Sequence, residues 1–267
     1  MRYYLGINGS GNALFDSLTV KLHSYILFSY HYCNNIEEAK KLILNNQSNH
    51  FIVDSGAFSS WSIGKNINRT ELLKFYRAIQ EVRPDTVFIN LDKIPGSKGN
   101  KPTKQQSEEA CKISLENYNY LKKYIKNLLP VFHEDDDFSY LEIMKQETDY
   151  IAISPANDSH TKKRIQWLDK VYSNLKANYK THSLAGVGET LLKRYPFYSG
   201  DSVSYRSFAM WGRAISKSDE ILKMHHTNSN NTNELITRVM PNEIKAYKKL
   251  QDDITNLWEK RGVKWEK

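Results

Sequence analysis

Four short apolar runs in this chain stop at a side chain that can carry charge. They are Phe51-Ile52-Val53-Asp54, Val87-Phe88-Ile89-Asn90-Leu91-Asp92, Leu128-Leu129-Pro130-Val131-Phe132-His133, and the run from Tyr198 into Gly200-Asp201-Ser202. Taken singly, an Asp after an apolar run is an ordinary turn former. Three carboxylates and an imidazole converging on one rim would be another matter. A carboxylate can attack an electrophilic carbon and leave it again, splitting one hard displacement into two easier ones. A second carboxylate can carry a proton between the departing and entering groups. Paired carboxylates are also how most glycosidases act on an anomeric carbon. The residue types therefore point to acid–base or nucleophilic carboxylate chemistry, provided that the fold brings these run ends together.

The elements that must do so alternate along the chain. Predicted strands cover 3–7, 25–30, 51–54, 87–92, 128–133, 150–154, 181–186 and 198–204, with predicted helices at 36–45, 70–82, 105–126, 138–146, 162–178 and 191–195. Strand–helix alternation implies parallel pairing, because a parallel crossover takes a dozen residues or more. About eight such units in 267 residues predict an α/β fold, a (β/α)8 TIM barrel, whose function collects at the C-terminal strand ends. A doubly wound open sheet shows the same local alternation and is the alternative. No glycine-rich phosphate loop opens a helix, and Gly9-Ser10-Gly11 reads as a turn. After a polar breaker at 228–233, residues 234–258 read as an amphipathic helix with Ile236, Val239, Ile244, Tyr247, Leu250, Ile254 and Leu257 roughly on one face. The chain reads as a single domain with a helical extension at about 232–260.

Composition narrows the class. Hydrophobic residues at 40% and charged residues at 25% exclude collagen-like and wholly disordered chains. Lys and Arg number 38 against 30 Asp and Glu, a formal charge of +8, which suits a polyanionic partner or simply a basic surface. The two cysteines, Cys33 and Cys111, are too few for a disulfide scaffold or, alone, for a cysteine-based zinc site. The longest strongly apolar stretches fall well short of the ~20 residues of a membrane helix. A cytoplasmic protein without membrane contact is expected.

The motif residues carry a resemblance. Phe51-Ile52-Val53-Asp54-Ser55-Gly56-Ala57-Phe58-Ser59, followed by Ser62-Ile63-Gly64-Lys65, is similar to the Asp-Ser-Gly-Gly-Phe-Gln signature of tRNA-guanine transglycosylases. Pro84-Asp85-Thr86-Val87-Phe88-Ile89-Asn90-Leu91-Asp92 resembles that family's second aspartate strand. His182-Ser183-Leu184-Ala185-Gly186-Val187-Gly188-Glu189 resembles its glycine-rich strand end, and Gly200-Asp201-Ser202-Val203-Ser204-Tyr205 its nucleophile segment. The motifs come in the family's order, and the family's fold is the barrel.

The resemblance implies base exchange. Asp201 would attack the anomeric carbon of a nucleotide, expel guanine, and be displaced in turn by a 7-deazaguanine base such as 7-cyano-7-deazaguanine. Asp54 would serve as general acid–base and base-binding group. Asp92 would read the guanine-like face, since a carboxylate accepts from two adjacent N–H donors. Ser55, Gly56 and the backbone of Leu184, Ala185 and Gly186 would line the base pocket. His133 stands where the family tends to have glutamine, and contact with the base or a satisfied rim position both remain open.

Several features depart from the family. Its zinc site needs closely spaced cysteines after the nucleophile, and none follows Cys111. His225-His226 has no cysteine nearby, so neither zinc nor any other cofactor is expected. Ala57 replaces a glycine and Ser59 a glutamine. With no zinc region and no appended RNA-binding module, the chain resembles more closely the compact DNA-directed branch found in bacteriophages and bacterial defence clusters. DNA thus stands ahead of tRNA as substrate, while a homodimer stays open, as do two other readings: a glycoside hydrolase and an inactive nucleic-acid-binding barrel. Residues 161–180 hold six cations, with Lys162, Lys163 and Arg164 together, against Asp169 alone. They are candidates for phosphate contact, or a solvated helix face. Arg206 and Tyr205 beside the nucleophile segment are further candidates, and Trp61, Tyr205 and Trp211 could stack on bases, with a place in the core the alternative for at least one of the three.

Overall fold

The computed structural model describes residues 1–8, 13–97, 100–155, 160–175, 179–184, 187–207 and 232–265. In chain order its elements are β1 (Arg2–Ile7), α1 (Ala13–Leu22), β2 (Tyr25–Ser29), α2 (Ile36–Leu44), β3 (His50–Asp54), α3 (Ala57–Ser62), α4 (Arg69–Val82) and β4 (Val87–Ile89). Next come α5 (Lys104–Leu121), β5 (Leu128–Leu129), β6 (Val131–His133), α6 (Phe138–Glu147), β7 (Tyr150–Ser154) and α7 (Thr161–Asn174). The chain finishes with β8 (Lys180–Ser183), α8 (Glu189–Arg194), β9 (Ser199–Ser202), a 3-10 turn (Ser204–Arg206) and α9 (Thr232–Lys260).

The strands form one parallel sheet in the order β5-β4-β3-β2-β1-β9-β8-β7-β6. Every neighbour in that order is a neighbour in sequence, apart from the β1–β9 seam, which a doubly wound sheet does not allow. The two ends of the order are also joined. β5 and β6 are halves of one extended run, with Leu129 opposite Ile89 of β4 and Val131 opposite Ala152 of β7. Pro130 divides them because it has no N–H to give a ladder, although its carbonyl still accepts from Ala152 N at 2.9 Å. Eight predicted strands thus become nine, and the sheet curls into a nearly closed TIM-like barrel with helices between the strands.

Alternation along the strands sorts the side chains. Tyr4, Leu27, Ile52, Ile89, Leu129, Val131 and Ala152 form the core inside the barrel, and the residues between them face the helices in two larger clusters. The helices start where the sequence supplies caps. Asn35, Asn68 and Asp137 accept from first-turn amides, and Thr103 forms a capping box with Gln106, satisfying donors that a helix start leaves open.

The boundaries differ from the prediction in instructive places. The strand predicted over 87–92 ends at Ile89, and that over 181–186 at Ser183, so Asp92 and Leu184 sit on loops just past the ladder. Helix α1 was not predicted, because Ser17, Thr19 and Val20 blur its period, although Phe15, Asp16 and Thr19 are buried. The expected C-terminal helix is present with Ile236, Val239, Ile244, Tyr247 and Ile254 buried, packed on α1 and β1. Among the described residues no helix is long and apolar enough to cross a membrane. The turn at Gly9-Ser10-Gly11 lies outside the described residues.

Candidate active site

Strand parity builds the site. Ile52 and Val131 point into the barrel, so Asp54 and His133, two residues on, point inward one layer higher. On β9 the Ser199 hydroxyl meets Tyr150 Oη and His182 Nδ1, each at 2.6 Å, which fixes that face as inward and Asp201 as its next member. Asp92 reaches the same place from the loop after β4: its Oδ2 lies 2.7 Å from His133 Nε2. Asp54, Asp92, His133 and Asp201 are thereby gathered at the C-terminal mouth of the barrel, as the run ends had suggested.

Their environments differ. Asp54 is pushed up from 3.8 to about 7, first by burial and then by the charges of Asp92 and Asp201, against hydrogen bonds from Gly56 N and the Ser29 hydroxyl. The Gly56 amide donates to Asp54 Oδ2 at 3.1 Å. That geometry needs glycine, since Gly56 has φ 77°, and a Cβ there would lie 2.4 Å from His31 Cβ. Beneath the carboxylates, Tyr76 is fully buried and donates to Ile89 O at 2.8 Å. Burial, and then the charges of Asp54 and Asp92, hold its phenol well above its ordinary pKa.

His133 goes the opposite way. Burial disfavours its cation, but the hydrogen bond and charge of Asp92, with Asp136 and Asp135 behind, outweigh this and raise it from 6.5 to about 9. The 2.7 Å contact with Asp92 thus favours the protonated ring of His133. Its backbone is held as well, because His133 N donates to Asp136 Oδ2 at 2.7 Å and the Cys111 thiol donates to Asp136 Oδ1 at 2.9 Å. His133 is thus a satisfied rim histidine, held by Asp92.

Sequence reasoning gave no role to His182, yet it stands directly under Asp201. Its Nδ1 is bonded to Ser199, and its Nε2 lies 3.3 Å from Asp201 Oδ1 without hydrogen-bond alignment. The imidazole is completely buried while Asp201 keeps 14% of its side chain exposed. The signal was available: His182 is two residues before Leu184, on the inward parity of β8.

Other expectations fall differently. Ser55 is buried, its hydroxyl accepting from Ala57 N at 3.3 Å, and Gly56 caps α3. Leu184 packs against the barrel core, whereas Ala185, Gly186, Lys176, Trp211, His225 and His226 lie outside the described residues. Tyr205 and Arg206 require correction. Tyr205 is fully buried, with its hydroxyl 2.9 Å from Gly6 O and 3.0 Å from Thr19 Oγ1. Arg206 is buried and paired with Asp16. These two tie α1 to the 3-10 turn and present nothing to phosphate or base. Lys162 is exposed on the first turn of α7, while Lys163 is held 2.9 Å from Glu134, whose carboxylate is 5% exposed. Arg164 is half-buried.

Among the described residues the two cysteines are not gathered into a zinc donor set. Cys33 is buried in the core beneath α2, Cys111 donates to Asp136, and among the described residues no group of three or more His, Cys, Asp or Glu could hold a metal. No model of a known protein family matches the chain, and no curated protein matches it.

Chemically, the mouth offers one partly exposed carboxylate against a buried imidazole, one carboxyl poised to exchange protons near neutrality, and one fixed histidine–carboxylate pair. A carboxyl with its pKa near the operating pH suits acid–base work, and a partly exposed carboxylate suits attack on carbon.

Proposed function

We propose that the chain is a guanine transglycosylase, which exchanges guanine in nucleic acid, DNA ahead of tRNA, for a 7-deazaguanine base. The observation that carries this reading is the gathering of Asp54, Asp92 and Asp201 at one barrel mouth, with Asp54 raised to about 7 partly by the other two. The motif resemblance at these same residues gives the reaction its direction.

Asp201 attacks C1′ of the target nucleotide; the C1′–O bond forms as the C1′–N9 bond breaks, and the electron pair leaves with guanine. Asp54, near half-protonated at neutral pH, gives its proton to the departing base. The entering 7-deazaguanine returns a proton to Asp54 as its N9 attacks C1′ and releases the Asp201 carboxylate. A group that must both give and take a proton works best with its pKa near the operating pH. Asp92, fixed by His133, keeps an oxygen for the N–H donors of either base. The target nucleotide has to leave its stack, because C1′ is out of reach within a duplex.

Purified protein incubated with guanine-labelled duplex DNA or tRNA plus 7-cyano-7-deazaguanine tests the reading, with label release and modified nucleosides followed by mass spectrometry. Label release and modified DNA are expected, abolished in Asp201→Asn while nucleic-acid binding persists. Modification of tRNA alone would replace the substrate and keep the chemistry. Near-wild-type exchange by Asp201→Asn would remove the nucleophile. Release of a free sugar without exchange would instead favour a glycoside hydrolase.

A further inference from the structure

Beside Asp92 the barrel mouth opens into a groove of about 610 Å3, running between α3, the start of α4 and the loop after β4. Its walls include Trp61, Lys65, Arg69, Lys93 and Asn117 as well as Asp92 itself. Asp92 is thus shared between the groove and the catalytic cluster, and its charge is already met by His133 at 2.7 Å. Three cations therefore dominate the remaining wall. Lys65 and Lys93 are exposed. Arg69 is oriented rather than loose: its guanidinium lies 4.2 Å from the Tyr120 ring centre and donates to Asn117 Oδ1 at 3.2 Å. The indole of Trp61 is likewise fixed, donating to Gly96 O at 3.1 Å.

The neighbouring rim has the opposite sign. After β6 come Glu134, Asp135, Asp136 and Asp137, with Asp135 and Asp137 exposed. Lys163, which sequence reasoning had offered to phosphate, is held there by Glu134. The two sides of the mouth thus differ in the sign of their exposed side chains, Asp135 and Asp137 beyond His133 and Lys65 and Lys93 along the groove.

We infer that this groove holds the phosphodiester backbone next to the exchanged nucleotide, with Lys65 and Lys93 as direct phosphate contacts and Arg69 and Trp61 as a preoriented wall. The inference rests on the transglycosylase reading for the position of the reacting nucleotide. It adds the path of the strand, which neither that reading nor the charge of the 161–180 segment supplies. Backbone contacts of this kind give affinity without sequence preference and make it depend on salt.

The test is fluorescence anisotropy with a short labelled guanine-containing DNA oligonucleotide across a salt series, alongside exchange by the same preparations. Lys65→Ala/Lys93→Ala is compared with wild type and with Lys245→Ala/Lys248→Ala, which removes two exposed charges from α9. The groove variant is expected to bind about tenfold more weakly, with its salt slope reduced by about 2, and the α9 variant to match wild type. All three should share one thermal midpoint, since the four lysines are exposed. Equal binding by both double variants and wild type would overturn the groove while leaving the exchange chemistry standing. A wild type that binds with the expected groove dependence yet exchanges no base would overturn the transglycosylase reading and leave the groove as a strand-binding site. Absence of binding by wild type would overturn both.

Discussion

At the scale of single residues, the mouth holds two groups whose titrations are displaced across neutrality. Folding raises Asp54 from 3.8 to about 7, so the folded state binds this proton more tightly than the unfolded chain. The stabilisation is full below pH 3.8 and is lost as pH rises through about 7. Asp54→Asn escapes that loss. Its stability should gain on wild type between about pH 4 and pH 8, by up to about 4 kcal/mol, as read from thermal melts over the range. Parallel curves for the two proteins would show that Asp54 titrates normally. The same group should place an inflection near pH 7 in the exchange rate. His133 is raised from 6.5 to about 9, so its stabilising charge is complete below 6.5 and disappears as pH passes about 9. Its ring resonances should titrate near 9 in wild type and move down toward 6.5 or lower in Asp92→Asn, where burial is left with less opposition. An unchanged titration would mean that Asp92 does not hold the proton on His133.

At the scale of elements, the turn from β3 into α3 fixes the acid–base group. Gly56 and Gly64 both have positive φ, 77° and 70°, but a Cβ at Gly56 meets His31 and the Ser29 hydroxyl at 2.4 and 2.5 Å, whereas at Gly64 it meets nothing within 4 Å. Gly64→Ala should therefore cost about 1 kcal/mol, from backbone conformation alone. Gly56→Ala should cost about 2–4 kcal/mol, because the clash is added, and should also impair exchange by moving the Asp54 hydrogen bond. Equal losses of stability in denaturant melts would mean that the turn relaxes freely.

The same elements show what the sequence could disclose. Asp54, His133 and Asp201 were legible because each extends an inward-facing parity that a linear pattern displays. The loop placement of Asp92 was not, since Asn90-Leu91 continues the apolar run after the ladder has stopped. Helix α3 was hidden by its six residues and by a left-handed glycine start.

At the scale of the whole molecule, strand order separates a barrel from a doubly wound sheet, and local alternation is blind to it. Long-range partners decided the fate of the charges in the same way. Arg206 is matched by Asp16 and Lys163 by Glu134, pairings across 190 residues and across α6 and β7 that no charge count along the chain reveals. Of the three adjacent cations at 162–164, Lys163 is paired and Arg164 half-buried, which leaves Lys162 exposed, while the groove beside Asp92 draws its cations from residues as far apart in sequence as Lys65 and Lys93.

The seam between β1 and β9 has a further consequence, for the order in which the molecule comes into being. Arg2 lies opposite Ser199, so β1 waits, while nearly 200 further residues are synthesised, for one of its two neighbours. Meanwhile its unpaired N–H and C=O groups can recruit any other extended chain. Contacts so distant in sequence form slowly, and partly built sheets of this kind are where aggregation starts. The hazard lies in the nascent chain and ends when β9 closes the ring.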